Sequence, residues 1–533
     1  MSEADGQQLP MGWTTATVGD ILKVRNGYAF KSSEYRPTGV PLIRQTDLGD
    51  NAISILNAKR VDSSFLAELP SFIVRKGDLL IGMSGSLGKI SMYQESEPAL
   101  QNQRTGLLLV EKQSDAAFAK LVMQFVEQQI ISGGKGIAVQ NVSASQIEDC
   151  TFPLPPLREQ ERISSAAEEL FSDLDAGVAA LERVQMKLKH YRGAVLKAAV
   201  EGALTIDWRA QHPDTEPASE LLQHIRRERR RRWEKAQLKK FKASGIEPPK
   251  NWKGKYKEPR DPDPTNLPPL PKGWCWATPE LLGSVQLGRQ RAPQHHHGEF
   301  MRPYLRVANV YEDRIDLNSV YEMNFSPKEF KSYELRSGDI LLNEGQSLEL
   351  VGRSAIYRGE LPGVCFTNTL VRFRPDNGLK PEFAQTYFKA CLRSHRFRKL
   401  ARWTTNIAHL GADRFAAMEF PLPPLAEQEA IVEAVEGQLS VIDHLDSDLK
   451  TKLKSTQALR QSILRHAFKG KLVPQDPNDE SASDLLKRID VERRERTPRT
   501  TTAKQTAQMA KSTKAKDKTL RRRAAAKNLD ERL

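Results

Sequence analysis

Cysteine is scarce in this 533-residue chain: the four, Cys150, Cys275, Cys365 and Cys391, lie far apart and no two form a CxxC pair. That excludes a disulfide framework and points to buried, reduced thiols in a cytoplasmic protein. No stretch approaches the roughly 18 consecutive apolar residues that cross a bilayer. The opening residues, MSEADGQQLPMGW, lack a basic start followed by an apolar core. Neither a membrane segment nor a secretory signal is therefore expected.

Catalytic signatures are also missing. The chain has no GxSxG, no HExxH, no Asn-Pro-Pro-aromatic motif of amino-methyltransferases and no glycine-rich cofactor loop. The run Gly82-Met83-Ser84-Gly85-Ser86-Leu87-Gly88-Lys89 departs from a phosphate loop by one residue of spacing, and Ile90 stands where Ser or Thr would hold magnesium. His295, His296 and His297 lack a second ligand cluster, so a polar loop is the expectation and not a metal site. No catalytic residue, metal ligand or cofactor is assigned to this chain.

Positive charge is what the chain has in excess. There are 81 Lys and Arg against 67 Asp and Glu, a net charge of +14, with mean hydropathy −0.55 and 39% hydrophobic residues. Such an excess suits a polyanionic partner. Part of it sits in residues 499–533, a basic tail of low apolar content that reads as disordered.

The chain repeats itself. Leu9-Pro10-Met11-Gly12-Trp13 returns as Leu270-Pro271-Lys272-Gly273-Trp274, and Gly77-Asp78-Leu79-Leu80 as Gly338-Asp339-Ile340-Leu341. Pro41-Leu42-Ile43-Arg44 returns as Pro303-Tyr304-Leu305-Arg306. FPLPPL followed by Arg158-Glu159-Gln160 returns as FPLPPL followed by Ala426-Glu427-Gln428. Two copies of one long unit fill almost the whole chain, a duplication and not a solenoid. Between these markers the copies differ, which suits a shared scaffold carrying unlike loops, and also suits drift after duplication.

The expected fold class is α+β: two mixed α/β domains, 1–155 and 269–423, separated by two long helices that form an antiparallel coiled coil. Short apolar runs bounded by Gly, Ser and Pro read as strands, and 116–131 reads as helix. The first long helix, 156–203, carries a seam at Ile163, Ala167, Leu170, Leu174, Gly177, Leu181, Val184, Leu188, Tyr191, Val195 and Ala198. It would be about 65 Å long at 1.5 Å per residue. The second, 424–471, has a seam from Ile431 to Ala467 whose phase wanders at Leu439, Leu453 and Ala467. Each needs a partner, and the other copy is the economical one; a homodimeric coiled coil is the alternative. Residues 204–268 read as a basic helical extension with an extended proline-rich linker, and 472–498 as a second helical extension. The arginine run at 226–232 reads as a solvated face or as a DNA or subunit contact.

Bidentate Arg, Gln and Asn tell bases apart in the major groove, while Lys and Ser hold phosphates. In the first domain the candidates near expected turns are Arg25, Tyr28, Lys31, Arg44, Gln45, Ser84, Ser86, Lys89, Asn102, Gln103, Arg104 and Asn141. In the second they are Arg289, Arg291, Arg306, Asn309, Asn343, Gln346, Arg353, Asn368 and Asn406. A DNA-binding enzyme with a dispersed nuclease or methyltransferase centre, and a coiled-coil scaffold for protein partners, are the competing classes.

LP-x-GW, GD-[LI]-L and FPLPPL-x-EQ before a long helix, each present twice, resemble the specificity subunits of type I restriction–modification systems, which act in phage defence. The resemblance spans roughly residues 9 to 490. It implies a non-catalytic subunit whose two target-recognition domains each read half of a bipartite double-stranded DNA sequence. The helices would set the gap and dock two modification (methyltransferase) subunits. Those partners would use S-adenosylmethionine to methylate adenine, and restriction (motor–nuclease) subunits would use ATP and Mg.

Overall fold

The computed structural model describes residues 9–49, 52–85, 87–133, 141–263, 265, 267–404 and 406–496. Ser86 and the basic tail, 499–533, lie outside the described residues. Within them the fold is mixed helix and sheet, in two compact units: one from residues 1–180 with 452–533, the other from 181–451. The units do not follow the repeat as it is written in the chain. Each takes a globular domain, the start of the long helix that follows it, and the end of the other long helix with its extension.

In the first unit an antiparallel sheet runs Leu22–Asn26, Thr105–Val110, Leu79–Gly82, Ile90–Met92. A second, mixed sheet runs Lys59–Val61, Val40–Ile43, Ala99–Gln101, Ile73–Val74. Strand alternation explains the burial of both faces of the GD-[LI]-L strand. Leu79 and Ile81 pack with Val24, Leu108 and Phe118 toward the helices. Leu80, on the opposite face, packs with Leu107, Ile43, Val74 and Tyr93 toward the second sheet. The second unit repeats this: Ile340, Leu342, Val371 and Phe373 face one core and Leu341 and Leu370 the other.

The repeated end motifs meet. Thr14–Thr17 pairs antiparallel with Thr151–Leu154, and Cys275–Ala277 with Phe420–Leu422. Each pairing brings the motif tryptophan onto the first turn of the following helix. The Trp13 indole donates to Glu159 Oε2 at 2.9 Å, and that of Trp274 to Glu427 Oε2 at 2.8 Å. Glu159 is buried with Oε1 unpartnered, and burial raises its pKa above the usual carboxylate range. Glu427 also accepts from Thr205 at 2.7 Å and is ion-paired with Arg209.

The long helices run Leu157–Val200 and Leu425–Ala467. Each ends just before a left-handed glycine, Gly202 (φ +72°) and Gly470 (φ +64°), whose freedom from Cβ the turn requires. In the first unit Arg460 pairs with Asp175 at 2.5 Å and lies over the Phe171 ring. In the second, Gln185 donates to Asp446 at 3.1 Å and Arg192 pairs with Asp443, which runs the two segments antiparallel. The expected seam is only partly buried. Ile163, Ala167 and Val195 are interior, but Leu170, Val184 and Tyr191 are exposed, and Phe171, Leu196 and Ala199 take up the contact instead. A straight helix drifts about 20° per heptad against a 3.5-residue repeat, and helix ends anchored in globular cores do not need a continuous seam.

The extensions also depart from expectation. In the second unit Ala218 N–H donates to Gly273 O at 2.8 Å; in the first, Ala482 N–H donates to Gly12 O at 2.9 Å. Arg229 donates to Gly283 O at 2.9 Å and lies 3.8 Å from Asp376, which Arg232 also holds at 2.7 Å; in the first unit Arg493 holds Glu111 at 2.9 Å. The arginine run is thus in part a brace on its own domain and not a wholly solvated face. Nor is the proline-rich stretch simply extended: Trp252 is buried, stacked on Trp233 at 5.8 Å. Carboxylate partners and aromatic burial hold both segments down, which composition alone does not reveal.

Candidate nucleic-acid interface

Where the GD-[LI]-L strand leaves the first domain's sheet, three segments converge. Met83 N–H donates to Arg104 O at 3.1 Å, Val142 N–H to Met83 O at 3.0 Å, and Gly82 N–H to Lys89 O at 2.9 Å. Gln101 locks the neighbouring turn by donating to Arg25 O at 2.9 Å and Thr105 O at 2.7 Å. A Cβ on Gly27 would fall on the carbonyl of Asn102, so the backbone there approaches more closely than any other residue permits. The result is a concave pocket of about 400 Å³ lined by Asn26, Ser84, Gln103, Arg104, Asn141 and Ser143. Gln45 lies against Gly85 on the same turn.

Four of the sequence candidates, Ser84, Gln103, Arg104 and Asn141, thus line one cradle, with Gln45 beside it against Gly85 and Lys89 on the turn that closes it. Gln103, Arg104 and Asn141 are exposed, a set of donors and acceptors suited to base edges. The others stand apart. Arg44 pairs with Asp47 at 3.4 Å, and Arg25 is a half-buried strand residue. Asn102 is buried, its carbonyl accepting from Thr105. Tyr28 packs on Phe30 and Phe72 at 4.9 and 5.6 Å, and Lys31 is exposed beside a short turn.

The second domain builds the same frame from different side chains. Asn343 N–H donates to Arg353 O at 2.9 Å, Glu344 N–H to Thr369 O at 2.9 Å, and Leu410 N–H to Glu344 O at 2.8 Å. A Cβ on Gly288 would fall on the Thr367 carbonyl, as Gly27 does on Asn102. Matching these bonds sets Glu344 in the place of Met83, Gly345 of Ser84, Asn368 and Thr369 of Gln103 and Arg104, and His409 of Asn141. Here His409 Nδ1 lies 3.0 Å from Glu344 Oε2.

Three candidates in this domain are corrected. Arg289 is buried, paired with Glu329 at 2.8 Å and set over the Phe325 ring, so it holds the loop together. Asn309 is buried, its amide donating to Asp316 O and Ser319 O while its oxygen accepts from Arg306 N–H. Asn343 is buried with neither side-chain amide atom partnered. A base edge cannot reach groups sealed this way. Arg306 stacks on Tyr321 at 4.4 Å, Arg353 on Tyr311 at 4.8 Å and Arg291 lies 5.7 Å from the Tyr304 ring centre. Burial lowers the Arg353 pKa. Gln346 and Asn368 lie at the cradle, and Asn406 is exposed on the adjoining turn.

Sequence reasoning missed Asn26, Ser143, Glu344 and His409. The duplication could have flagged Glu344 as the counterpart of Met83. It could have flagged His409 as well: counted back from the FPLPPL motif, His409 falls where Asn141 falls in the first copy, although the segments leading up to the two differ in length. Among the described residues, no group of three or more His, Cys, Asp or Glu could hold a metal ion, and no helix is long and apolar enough to cross a membrane.

Comparison with known proteins agrees with this duplicated frame. The model of the type I restriction modification DNA specificity domain matches residues 10–183 and 296–455. The chain belongs to that family. It is 26% identical to the EcoBI specificity subunit of Escherichia coli over 498 residues, covering 90% of this chain and 92% of that one. It is 24% identical to the EcoKI specificity subunit of Escherichia coli (strain K12) over 515 residues, covering 91% and 96%. A solved structure described as the structural basis of complex assembly and conformational transition of the type I R-M system shares the fold, with a TM-score of 0.59 and 16% identity over 87% of this chain and all of that one. The chain is thus a non-catalytic DNA-recognition component of such systems.

Proposed function

We propose that each globular domain reads one half of a bipartite DNA sequence through its cradle, with the paired helices fixing the gap between the halves. The observation that carries this is the identical hydrogen-bonded frame filled with unlike side chains: Gln103, Arg104 and Asn141 in one domain, Asn368, Thr369 and His409 in the other. A shared frame keeps the two domains in register on the duplex, and differing donors and acceptors read differing bases. Lys89 and the exposed arginines supply phosphate contacts that add salt-dependent affinity.

The exposed apolar residues of the long helices, among them Leu170 in one unit and Val184, Tyr191 and Leu445 in the other, fit docking of two modification subunits. Those subunits bring S-adenosylmethionine and methylate adenine; restriction subunits using ATP and Mg complete the complex, which works in the cytoplasm. Methylome sequencing of cells expressing this chain with its modification partner tests the reading, the expected result being a bipartite methylated motif. Deleting one heptad from each long helix shortens the gap and leaves both half-sites unchanged. An unchanged gap in a methylating complex refutes the role of the helices.

A further inference from the structure

We propose that Glu344 and His409 form a base-discriminating pair in the second domain that selects a base carrying an exocyclic amino group, adenine or cytosine. The proposal rests on the reading of the cradle as a DNA site and goes beyond it by naming the chemistry read.

Glu344 begins where its strand leaves the sheet and is anchored by two backbone bonds, to Thr369 O and from Leu410 N–H. Its side chain is only 15% exposed, while the His409 side chain is 40% exposed. Oε2 faces His409 Nδ1 at 3.0 Å, and no described residue donates to Oε1. Gly345 leaves room for the imidazole, since a Cβ there would stand 3.6 Å from its Cε1 and Nδ1, and Arg414 anchors the His409 backbone by donating to its carbonyl at 2.7 Å.

A carboxylate only accepts hydrogen bonds. A half-desolvated one with a free oxygen is satisfied by an amino donor and repelled by further acceptors. In the major groove adenine N6 and cytosine N4 are the donors, whereas guanine O6 and N7 and thymine O4 are acceptors. The same carboxylate repels phosphate, so it contributes discrimination and not general affinity. The first domain has Met83 at this position and is without that filter, which is one source of unlike half-sites on a common frame.

The test compares wild type with Glu344→Gln, which keeps shape and removes charge, and with His409→Ala, each expressed with the modification partner. Methylomes are sequenced, and binding of each purified complex to duplexes carrying each of the four bases at every half-site position is measured. Wild type should confine one position of the second domain's half-site to adenine or cytosine, and the duplex panel separates the two. Glu344→Gln should admit guanine or thymine there, discrimination falling about tenfold or more, with the other half-site unchanged. His409→Ala should relax the same position.

An unaltered preference in Glu344→Gln overturns the pair as a base reader. So does loss of all binding by a variant whose hydrogen-exchange pattern remains native, because phosphate contacts outlast the loss of one base contact. If wild type yields no bipartite motif and no salt-dependent DNA binding, the reading of the cradle itself fails and this inference falls with it.

Discussion

Replacing Glu159 and Glu427 separately by Gln tests how one motif comes to be stabilised differently in two copies. Glu427 is buried and accepts from Trp274, Thr205 and Arg209. Its neutralisation leaves Arg209 facing a buried site without its counterion. Losing one member of a buried pair costs 3–5 kcal/mol; since the Arg209 side chain keeps one-fifth of its exposure, about 3 kcal/mol is expected. Glu159 accepts from Trp13 alone, its second oxygen is unpartnered, and Arg162 is already taken by Asp479 at 2.7 Å.

Because the folded pKa of Glu159 is raised, its favourable contribution is complete below the usual carboxylate pKa of 4.5 and is lost as pH rises through the folded value. Above the folded value the ionised side chain therefore costs stability. Glu159→Gln removes that cost while an amide oxygen still accepts from Trp13, so the net change should stay within about 1 kcal/mol. Hydrogen-exchange mass spectrometry follows each unit separately. Glu427→Gln should accelerate exchange in the most protected peptides of its unit about a hundredfold, and Glu159→Gln should change its own by less than about fivefold. A double-mutant cycle with Arg209→Met should show strong coupling to Glu427. Equal damage from the two substitutions, or a harmless Glu427→Gln, would refute the reasoning.

Gly27→Ala and Gly288→Ala should each cost about 2–3 kcal/mol, since the added methyl meets backbone carbonyl oxygen and not a movable side chain; urea unfolding of each variant checks this, and neutrality at both sites would contradict the close approach. Burial pushes the thiols of Cys365 and Cys391 up to about 12 and that of Cys275 to about 11. These three should resist a thiol reagent at pH 8 in the folded chain and react after denaturation. Their contribution to stability should be intact below the ordinary thiol value of 9 and fall as pH climbs from there toward about 12.

Much of the frame was legible because it depends on short-range pattern. Leu79, Leu80 and Ile81 form a continuous apolar run, and such a run is a strand buried on both faces. Proline pairs followed by Glu159 and Glu427 announce helix starts, and Gly202 and Gly470 announce their ends. The seam was less legible. Leu170 and Phe171 are equally apolar, and only anchoring of the helix in a core decides which turns inward. The cradle was legible in the first domain through Ser84, Gln103 and Arg104, which sit in recognisable turns. It was obscured in the second, where Arg289 and Asn309 look like readers and are structural, while Glu344 and His409 look ordinary and meet across 65 residues of chain.

The duplication, the absence of catalytic motifs and the succession of domain and long helix are written in the sequence itself, because each is a matter of residue type and spacing. Which helix end completes which domain is not. It follows from contacts such as Ala482 on Gly12 and Thr205 on Glu427, which join segments hundreds of residues apart. Tertiary structure alone settled those, since burial depends on what surrounds a residue and not on what it is.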